Sequence, residues 1–155
     1  MTHSIPGKME FSLRPAQVED NAMIQRLIRQ EHLNPSRIDW PRFVVAVDRQ
    51  GSIIGCGQVK IHSSQVRELA SLVVVKDWRG KGVARALITT LIAQHPGELY
   101  LACRAGLEPL YQRFGFKSIP PSELPANYRR MVHLVNLILT LLGRRGGFKV
   151  MRRPA

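Results

Sequence analysis

The sequence predicts a mixed α/β domain whose sheet is antiparallel at first and gains a parallel crossover in its second half. Two observations carry this prediction. Three strand-like runs follow the first helical pattern with no further helix between them, which favours antiparallel neighbours. A long helical pattern then separates the third of these runs from the next apolar run, and such a connection is typical of parallel strands.

The first half of the chain predicts a strand, a helix, a hairpin and a further strand. Met23, Leu27 and Ile28 fall on one helical face, and Pro35 and Pro41 interrupt the loop that follows. The predicted elements are a strand at 11–16, a helix at 19–30, two strands within 42–62 that turn at 49–52, and a strand at 66–75.

The second half alternates helices with strands. Val83, Leu87, Leu91 and Ile92 recur at helical spacing, and "HPGE" ends that helix. The predicted elements are a helix at 80–94, a strand at 98–104, a short helix at 107–114, a strand at 116–119, an apolar helix at 126–142 and a closing strand at 148–153. The whole prediction is a central, mixed sheet of about seven strands flanked by helices, with an extra apolar helix before the last strand.

Length, charge and cysteine content limit the class of protein. At 155 residues and 45% apolar composition, the chain suits one domain over 1–155. Cys56 and Cys103 lack the spacing of a metal site or disulfide framework, which favours a reducing cytoplasmic setting and no metal. No stretch resembles a signal peptide or a membrane span, so integral membrane association is not expected. A net charge of +12 indicates an anionic partner: nucleic acid, a lipid surface or a phosphorylated cofactor.

The stretch "DWRGKGVARAL" places two glycines between a strand and a helix, where phosphate-binding turns occur. A P-loop requires Gly-Lys-Ser/Thr, whereas Val83 follows Gly82 here. The dinucleotide fingerprint requires Gly or Ala where this chain has Arg85. Two alternatives remain: an anion held by the amides at the helix start, and an ordinary strand-to-helix turn.

Two ordered motifs resemble the GNAT superfamily of acyl-CoA-dependent N-acetyltransferases. "RGKGVA" fits the family's Arg/Gln-x-x-Gly-x-Gly/Ala signature, and "EPLYQRFGF" is similar to its Tyr-x-x-x-Gly-Phe element further along the chain. The resemblance in element order covers nearly the whole chain. It implies a GNAT-like fold, acetyl-CoA as the cofactor and an enzyme that acetylates an amine.

The resemblance also implies which residues hold coenzyme A. Backbone groups of Leu72, Val73 and Val74 would pair with the pantetheine arm as an added strand does. The pyrophosphate would lie on the turn and the start of the next helix, with cationic help from lysine and arginine side chains. These residues are Arg79, Gly80, Lys81, Gly82, Val83, Ala84 and Arg85.

Acetyl transfer requires a neutral amine, and a lysine-like amine of pKa ~10.4 is neutral in only about one molecule in 2,500 at pH 7. A positioned carboxylate can remove the proton during attack. Glu68 matches the catalytic glutamate of the histone-acetyltransferase-like members of the family; the alternative is an edge-strand glutamate paired with Arg67 or a solvated neighbour. Tyr111 matches the family tyrosine that hydrogen-bonds the leaving thiolate; alternatively it is a core aromatic.

Three further side chains are weaker candidates. Arg104 stands where the family motif often carries Asn, and an arginine there suits a substrate carboxylate as well as solvent. His62 and Cys103 face the same predicted cleft, yet a lone strand histidine is usually at the surface or in a satisfied core, and cysteine is usually buried.

The sequence leaves the acceptor open among amino acids, polyamines, aminoglycosides and peptides. The order "GFKSIPPSELP", helix and "FKVMRR" resembles N-acetylglutamate-synthase-like members. A CoA-binding regulator without turnover and a nucleic-acid-binding domain are alternative functions; the second rests on the basic C-terminal region and lacks a recognition motif.

The helix predicted at 126–142 has more apolar surface than one contact face requires. The excess is buried within its own domain, against a second subunit or at a membrane surface. We favour a homodimer contact, or a wall of the acceptor site shared between subunits, over membrane binding, because the arginines cluster at the helix ends and not along one face.

Overall fold

The computed structural model describes residues 10–62, 65–143 and 148–155. Its strands are β1 (Phe11–Pro15), β2 (Phe43–Asp48), β3 (Ile53–Ile61), β4 (Arg67–Val74), β5 (Leu99–Arg104), β6 (Lys117–Ser118) and β7 (Phe148–Arg153). Its helices are α1 (Asn21–Gln30), α2 (Val83–Gln94), α3 (Glu108–Gln112) and α4 (Ala126–Leu141). Short 3-10 turns lie at Val18–Asp20, Trp40–Arg42, Lys76–Trp78, Ala105–Leu107 and Pro121–Glu123. The predicted order of strands and helices is confirmed.

The seven strands form one sheet in the order β1-β2-β3-β4-β5-β7-β6. The pairs β1–β2, β2–β3, β5–β7 and β6–β7 are antiparallel. β4 and β5 are parallel, with Glu68 opposite Tyr100, and α2 is the crossover between them. The mixed, mostly antiparallel sheet and its parallel crossover at the glycine turn are therefore as predicted.

The residues divide into two compact units. Unit 1 comprises Met1–Gln58 and Ser71–Leu91, and unit 2 comprises Val59–Ala70 and Ile92–Ala155. β3 and β4 each begin in one unit and end in the other. The two units are described separately below.

Unit 1 packs a helix on each face of its strands. α1 contributes Ile24 and Ile28 to a core cluster that also contains Phe43 of β2. On the other face, Gly55 lies against α2: a Cβ there would be 3.1 Å from the side chain of Val83 and 2.9 Å from the carbonyl oxygen of Val73. Glycine at this position of β3 therefore permits the close approach of α2 that places the glycine turn.

The core of unit 2 is built around two tyrosines. Tyr100 of β5 and Tyr128 of α4 pack with Leu124, Val132 and Val150. Farther along α4, large apolar side chains are exposed to between 47% and 77%: Leu134, Leu137, Ile138 and Leu141. The expectation that α4 has more apolar surface than its own unit covers is therefore confirmed, whereas complete burial within the domain is wrong.

No helix in the described part of the chain is both long and apolar enough to cross a membrane.

Candidate active site

The glycine turn of unit 1 has the backbone conformation that its sequence predicts. Gly80 and Gly82 adopt φ angles of 78° and 85°, in the left-handed region that favours glycine. A Cβ at either position would meet no atom within 4 Å, so the space beside the turn is open. The first amides of α2 have no acceptor within the helix and carry its positive dipole end. The turn and the helix start can therefore hold an anionic group.

Arg79 braces this turn from within unit 1. Its Nε donates to the carbonyl oxygen of Val74 at 3.0 Å, and its guanidinium also pairs with the Glu31 carboxylate at 3.0 Å. The Arg79 amide donates to the carbonyl oxygen of Lys76 at 3.2 Å. These contacts connect the turn to the end of β4 and to the end of α1. Arg79 therefore acts by fixing the position of the turn.

The predicted pantetheine-binding residues lie at the end of β4. The amide of Val75 donates to the carbonyl oxygen of Ile54 at 2.9 Å, so this part of β4 is bonded to β3. Backbone direction alternates along a strand, and the amide and carbonyl groups of Leu72 and Val74 therefore point towards the opposite edge. Val73 is buried in the unit 1 core, which holds the strand in place.

A cavity of about 890 Å³ lies beside the glycine turn within unit 1. It is lined by β1 and α2, including Trp78, Lys81, Gly82 and Arg85. The Lys81 Nζ lies 4.9 Å from the centre of the Trp78 ring, and Phe11 packs edge-on against that ring. The Trp78 ring therefore packs against Phe11 and holds a cation at the turn.

Ser71 marks a local distortion of β4. Its φ is 57°, which is rare for a serine within a strand. The buried Gln58 side chain donates through Nε2 to the Ser71 Oγ at 3.0 Å and to the carbonyl oxygen of Arg37 at 3.3 Å. Among the described residues the Gln58 Oε1 has no hydrogen-bond partner. This amide bridge holds the unusual backbone in place.

Glu68 and His62 form a buried pair in unit 2. The His62 Nε2 lies 2.6 Å from the Glu68 Oε2, and each residue is only 8% exposed. Arg67, the expected alternative partner, instead donates to the carbonyl oxygens of Pro96 and Glu98. β4 is also an inner strand of the sheet, so the alternative of an edge-strand, solvated glutamate is wrong.

Tyr128 of α4 packs against the His62–Glu68 pair. Its ring lies 5.3 Å from the His62 ring and 5.7 Å from the Tyr100 ring, centre to centre. Burial, together with the Glu68 charge, raises the pKa of Tyr128 well above its usual value. Its hydroxyl makes no hydrogen bond of good geometry within the described part of the chain. A protonated phenol with unused bonding capacity therefore lies beside the carboxylate.

Tyr111 of α3 is also in unit 2 and is buried, in edge-on contact with Phe116. Burial, with a smaller contribution from Cys103, raises the pKa of Tyr111 to about 12. The phenol is therefore a hydrogen-bond donor throughout the neutral range. Both alternatives from the sequence, a core aromatic and a donor to a thiolate, are compatible with this position.

The remaining candidates differ in exposure. Arg104 is exposed at the end of β5. Burial raises the pKa of Cys103 to about 11 and that of Cys56 to about 12, so both thiols stay protonated at neutral pH. Within the described residues no group of three or more His, Cys, Asp or Glu side chains is arranged to hold a metal ion.

Comparison with known proteins agrees with this architecture. The model of the family "Acetyltransferase (GNAT) domain" matches residues 39–118. An uncharacterized N-acetyltransferase of Chlorobaculum tepidum is 30% identical over 93 residues, which is 57% of this chain and 58% of that protein.

Two solved structures share the fold. N-acetylglutamate synthase of Neisseria gonorrhoeae, complexed with coenzyme A and N-acetyl-glutamate, superposes with a TM-score of 0.71 at 19% identity, over 96% of this chain and 36% of that chain. A Mycobacterium tuberculosis protein crystallised with CoA gives a TM-score of 0.74 at 17% identity, over 93% of this chain and 99% of that chain. The chain thus spans about a third of the first structure and 58% of the Chlorobaculum relative.

The strand order, the parallel β4–β5 pair and the glycine turn before α2 define the mixed α/β fold that these solved structures share. The matched domain covers more than half of the chain, and the chain belongs to the GNAT family of acetyltransferases, enzymes whose cosubstrate is acetyl-CoA.

The sequence alone gives His62 as a weak candidate or a satisfied core histidine, and its buried pairing with Glu68 agrees with the second description. Nothing in the sequence analysis singles out Tyr128 or Gln58. The pairing of His62 with Glu68 has a weak sequence signal, because the two residues flank the short connection between β3 and β4. Tyr128 is far from both along the chain, and nothing in its local sequence distinguishes it from a core aromatic.

Proposed function

We propose that the protein transfers the acetyl group of acetyl-CoA directly to a primary amine of a small molecule or peptide in a ternary complex. The nitrogen–carbon bond of the amide forms and the carbon–sulfur bond of the thioester breaks. The acceptor ammonium loses two protons: Glu68 takes one and passes it to solvent, and the other ends on the CoA thiol. The observation that carries the proposal is the buried Glu68 carboxylate on β4, the strand that also carries Leu72–Val74.

Unit 1 holds the cofactor in this proposal. The amides from Gly80 to Arg85 bind the pyrophosphate, and Lys81 and Arg85 add positive charge. The open space at both glycines and the free first turn of α2 support this role. Arg79 contributes by bracing the turn, because its own amide and guanidinium are already bonded within the unit. The outward backbone groups of Leu72 and the amide of Val74 bind the pantetheine arm, while the Val74 carbonyl oxygen accepts from Arg79.

Unit 2 supplies the chemistry. Glu68 takes the proton of the acceptor ammonium, whose loss costs about 4.6 kcal/mol at pH 7 for a lysine-like amine. Tyr111 donates a hydrogen bond to the leaving thiolate, and its raised pKa makes this role better supported than full proton transfer. Arg104 is available to pair with a carboxylate on the acceptor, since its side chain is exposed at the end of β5.

We also propose that the protein works as a homodimer in the cytoplasm, and that residues 1–155 act together as one domain. The exposed stripe on α4 formed by Leu134, Leu137, Ile138 and Leu141 supports the dimer, because monomeric proteins seldom leave such a stripe in water.

Cofactor binding is tested by thermal unfolding with CoA. A ligand present at 100 times its Kd stabilises the folded state by about 2.7 kcal/mol, which raises Tm by roughly 5–10 °C for a domain of this size. Gly82→Glu should abolish this shift, because a carboxylate then occupies the anion site. Gly51→Glu is the matched control: Gly51 has φ 84° and open space around it, so it reproduces the backbone strain away from the site. No shift of the wild-type protein at millimolar CoA would contradict the proposal.

Turnover is tested by release of CoA thiol from acetyl-CoA in the presence of single amines. The panel contains amino acids, polyamines, aminoglycosides and lysine peptides. We expect one class to be acetylated, and Glu68→Gln to lower kcat by about 100-fold or more if the acceptor is a fully protonated amine. Binding of CoA without turnover of any amine would identify the protein as a CoA-binding regulator.

A further inference from the structure

The buried pair of His62 and Glu68 has 2.6 Å between the His62 Nε2 and the Glu68 Oε2, and the tautomer of His62 decides which group donates. In the form that the proposed reaction uses, Glu68 is ionised and only accepts hydrogen bonds, so the Nε2 carries the proton. This bond uses the Oε2 of Glu68. The Oε1 of the same carboxylate is then the oxygen available to another partner.

The surroundings of the pair are aromatic on one side and charged at the periphery. The Tyr128 ring packs on His62, and burial together with the nearby Glu68 carboxylate raises the pKa of the Tyr128 hydroxyl. Tyr100 packs on Tyr128 and donates to the Glu98 carboxylate at 2.9 Å. The Arg152 cation also interacts electrostatically with Tyr100. The buried Lys60 lies two residues before His62 on β3. The imidazole and the carboxylate therefore interact in a site with little water, where one hydrogen bond has a large effect on orientation.

We propose that His62 is a positioning residue for the base Glu68: its Nε2–H holds Oε2, so that Oε1 faces the ammonium proton of the acceptor. This inference rests on the proposed acetyl transfer and adds to it a second residue that controls the base.

Two substitutions test the hydrogen bond between His62 and Glu68. His62→Gln keeps an N–H donor near the position of Nε2 but carries no ionisable group. His62→Leu removes the donor and keeps an apolar side chain of similar volume. We expect His62→Leu to lower kcat by about 10-fold or more with little change in KM for acetyl-CoA, and His62→Gln to restore most of kcat.

A purely structural role would neither separate kcat from KM nor allow rescue by His62→Gln. A His62→Leu variant that is folded by circular dichroism and keeps the wild-type kcat would overturn the proposal, and so would a His62→Gln variant as slow as His62→Leu.

A readout without turnover tests the pair itself. Imidazole ¹⁵N chemical shifts of the wild-type protein should show the Nε2–H tautomer of His62 at pH 8, and Glu68→Leu should abolish this preference. An Nδ1–H tautomer in the wild-type protein would overturn the proposal even if the enzyme is active. Conversely, failure of every amine in the turnover panel contradicts the proposed function, so the two failures are distinguishable.

Discussion

Burial controls the protonation of several single residues in unit 2. The pKa values of Tyr111 and Tyr128 are raised chiefly by desolvation, and the same effect raises the pKa of Cys103 to about 11. Each of these groups is neutral in its protonated form, so burial keeps the proton on. The site therefore offers hydroxyl donors at neutral pH and no reactive thiolate, which agrees with direct attack by an amine and not with a cysteine-bound intermediate.

Tyr111→Phe tests the role of that hydroxyl. We expect kcat to fall by about 10-fold with little change in the affinity for acetyl-CoA, because only the hydrogen bond to the leaving thiolate is lost. Since the pKa of Tyr111 is raised to about 12, the phenol stays protonated through pH 10, and the ratio of the two kcat values should be constant from pH 6 to 9. A ratio that approaches one at pH 9 would show that the phenol titrates in that range and would contradict this role.

The sequence predicts candidate site residues where a motif fixes their position. It does not predict those that come together through contacts between different helices and strands. Glu68 and Tyr111 stand at definite positions in ordered motifs. The partner of Glu68 depends on how the β3–β4 connection folds, and Tyr128 reaches the pair only through the packing of α4. Local patterns carry no information on such packing, so the sequence indicates neither the His62–Glu68 pair nor the place of Tyr128 beside it.

At the level of elements, the start of α1 shows how a side chain organises a helix terminus. The Asp20 carboxylate accepts two hydrogen bonds from Arg14, at 2.6 Å and 3.1 Å, and one from the Gln17 amide at 2.7 Å. The hydrogen bond with Arg14 is the main cause of the lowered pKa of Asp20. The bonds join the end of β1 to the turn before α1, which is why the helix begins at Asn21 and not at the predicted residue 19.

Asp20→Asn should destabilise the protein by about 1–2 kcal/mol at pH 7, since a charge-assisted hydrogen bond to a buried carboxylate is lost. The sign of the pH dependence follows from the lowered pKa of Asp20. Its contribution is present above the unfolded value of 3.8 and disappears as the pH falls through the folded value. The difference in the free energy of unfolding between the wild-type protein and Asp20→Asn, measured by denaturant unfolding, should therefore be smaller at low pH than at pH 7.

Asp39→Asn is the matched control for this measurement. Asp39 also pairs with an arginine, Arg42, but both side chains are about half exposed, and such pairs contribute less than about 1 kcal/mol. Equal losses of stability in the two variants would contradict the special role of Asp20.

At the level of the whole molecule, hydrophobic periodicity predicted the order of elements along the chain but not their order in the sheet. β7, the last strand, pairs with β5 on one side and with β6 on the other. This arrangement depends on contacts between distant parts of the chain, such as Leu101 opposite Met151. An alternating pattern predicts that a segment forms a strand and which of its faces is buried. It does not predict which strands lie beside it in the sheet.

The exposed stripe on α4 is the surface through which we propose that two copies of the chain associate. Leu134, Leu137, Ile138 and Leu141 follow the i, i+3, i+4, i+7 spacing of one helical face. The same face on a second copy is complementary to it by two-fold symmetry, as isologous dimers require. A stable dimer buries about 800 Å² per partner, so in the proposed dimer this stripe would form the centre of the contact and flanking residues would complete it.

We therefore expect light scattering to report twice the 17.5 kDa mass of the chain at high micromolar concentration. Leu134→Glu and Leu141→Glu should each give folded monomer, because two like charges would meet across the symmetry axis without water. Met23→Glu, which changes an exposed apolar residue in the first turn of α1, should leave the dimer intact. The net charge of +12 makes two copies repel each other, so added salt should strengthen the association by screening. A wild-type protein that remains monomeric at high salt and high concentration would contradict the dimer and leave the stripe on α4 to another partner.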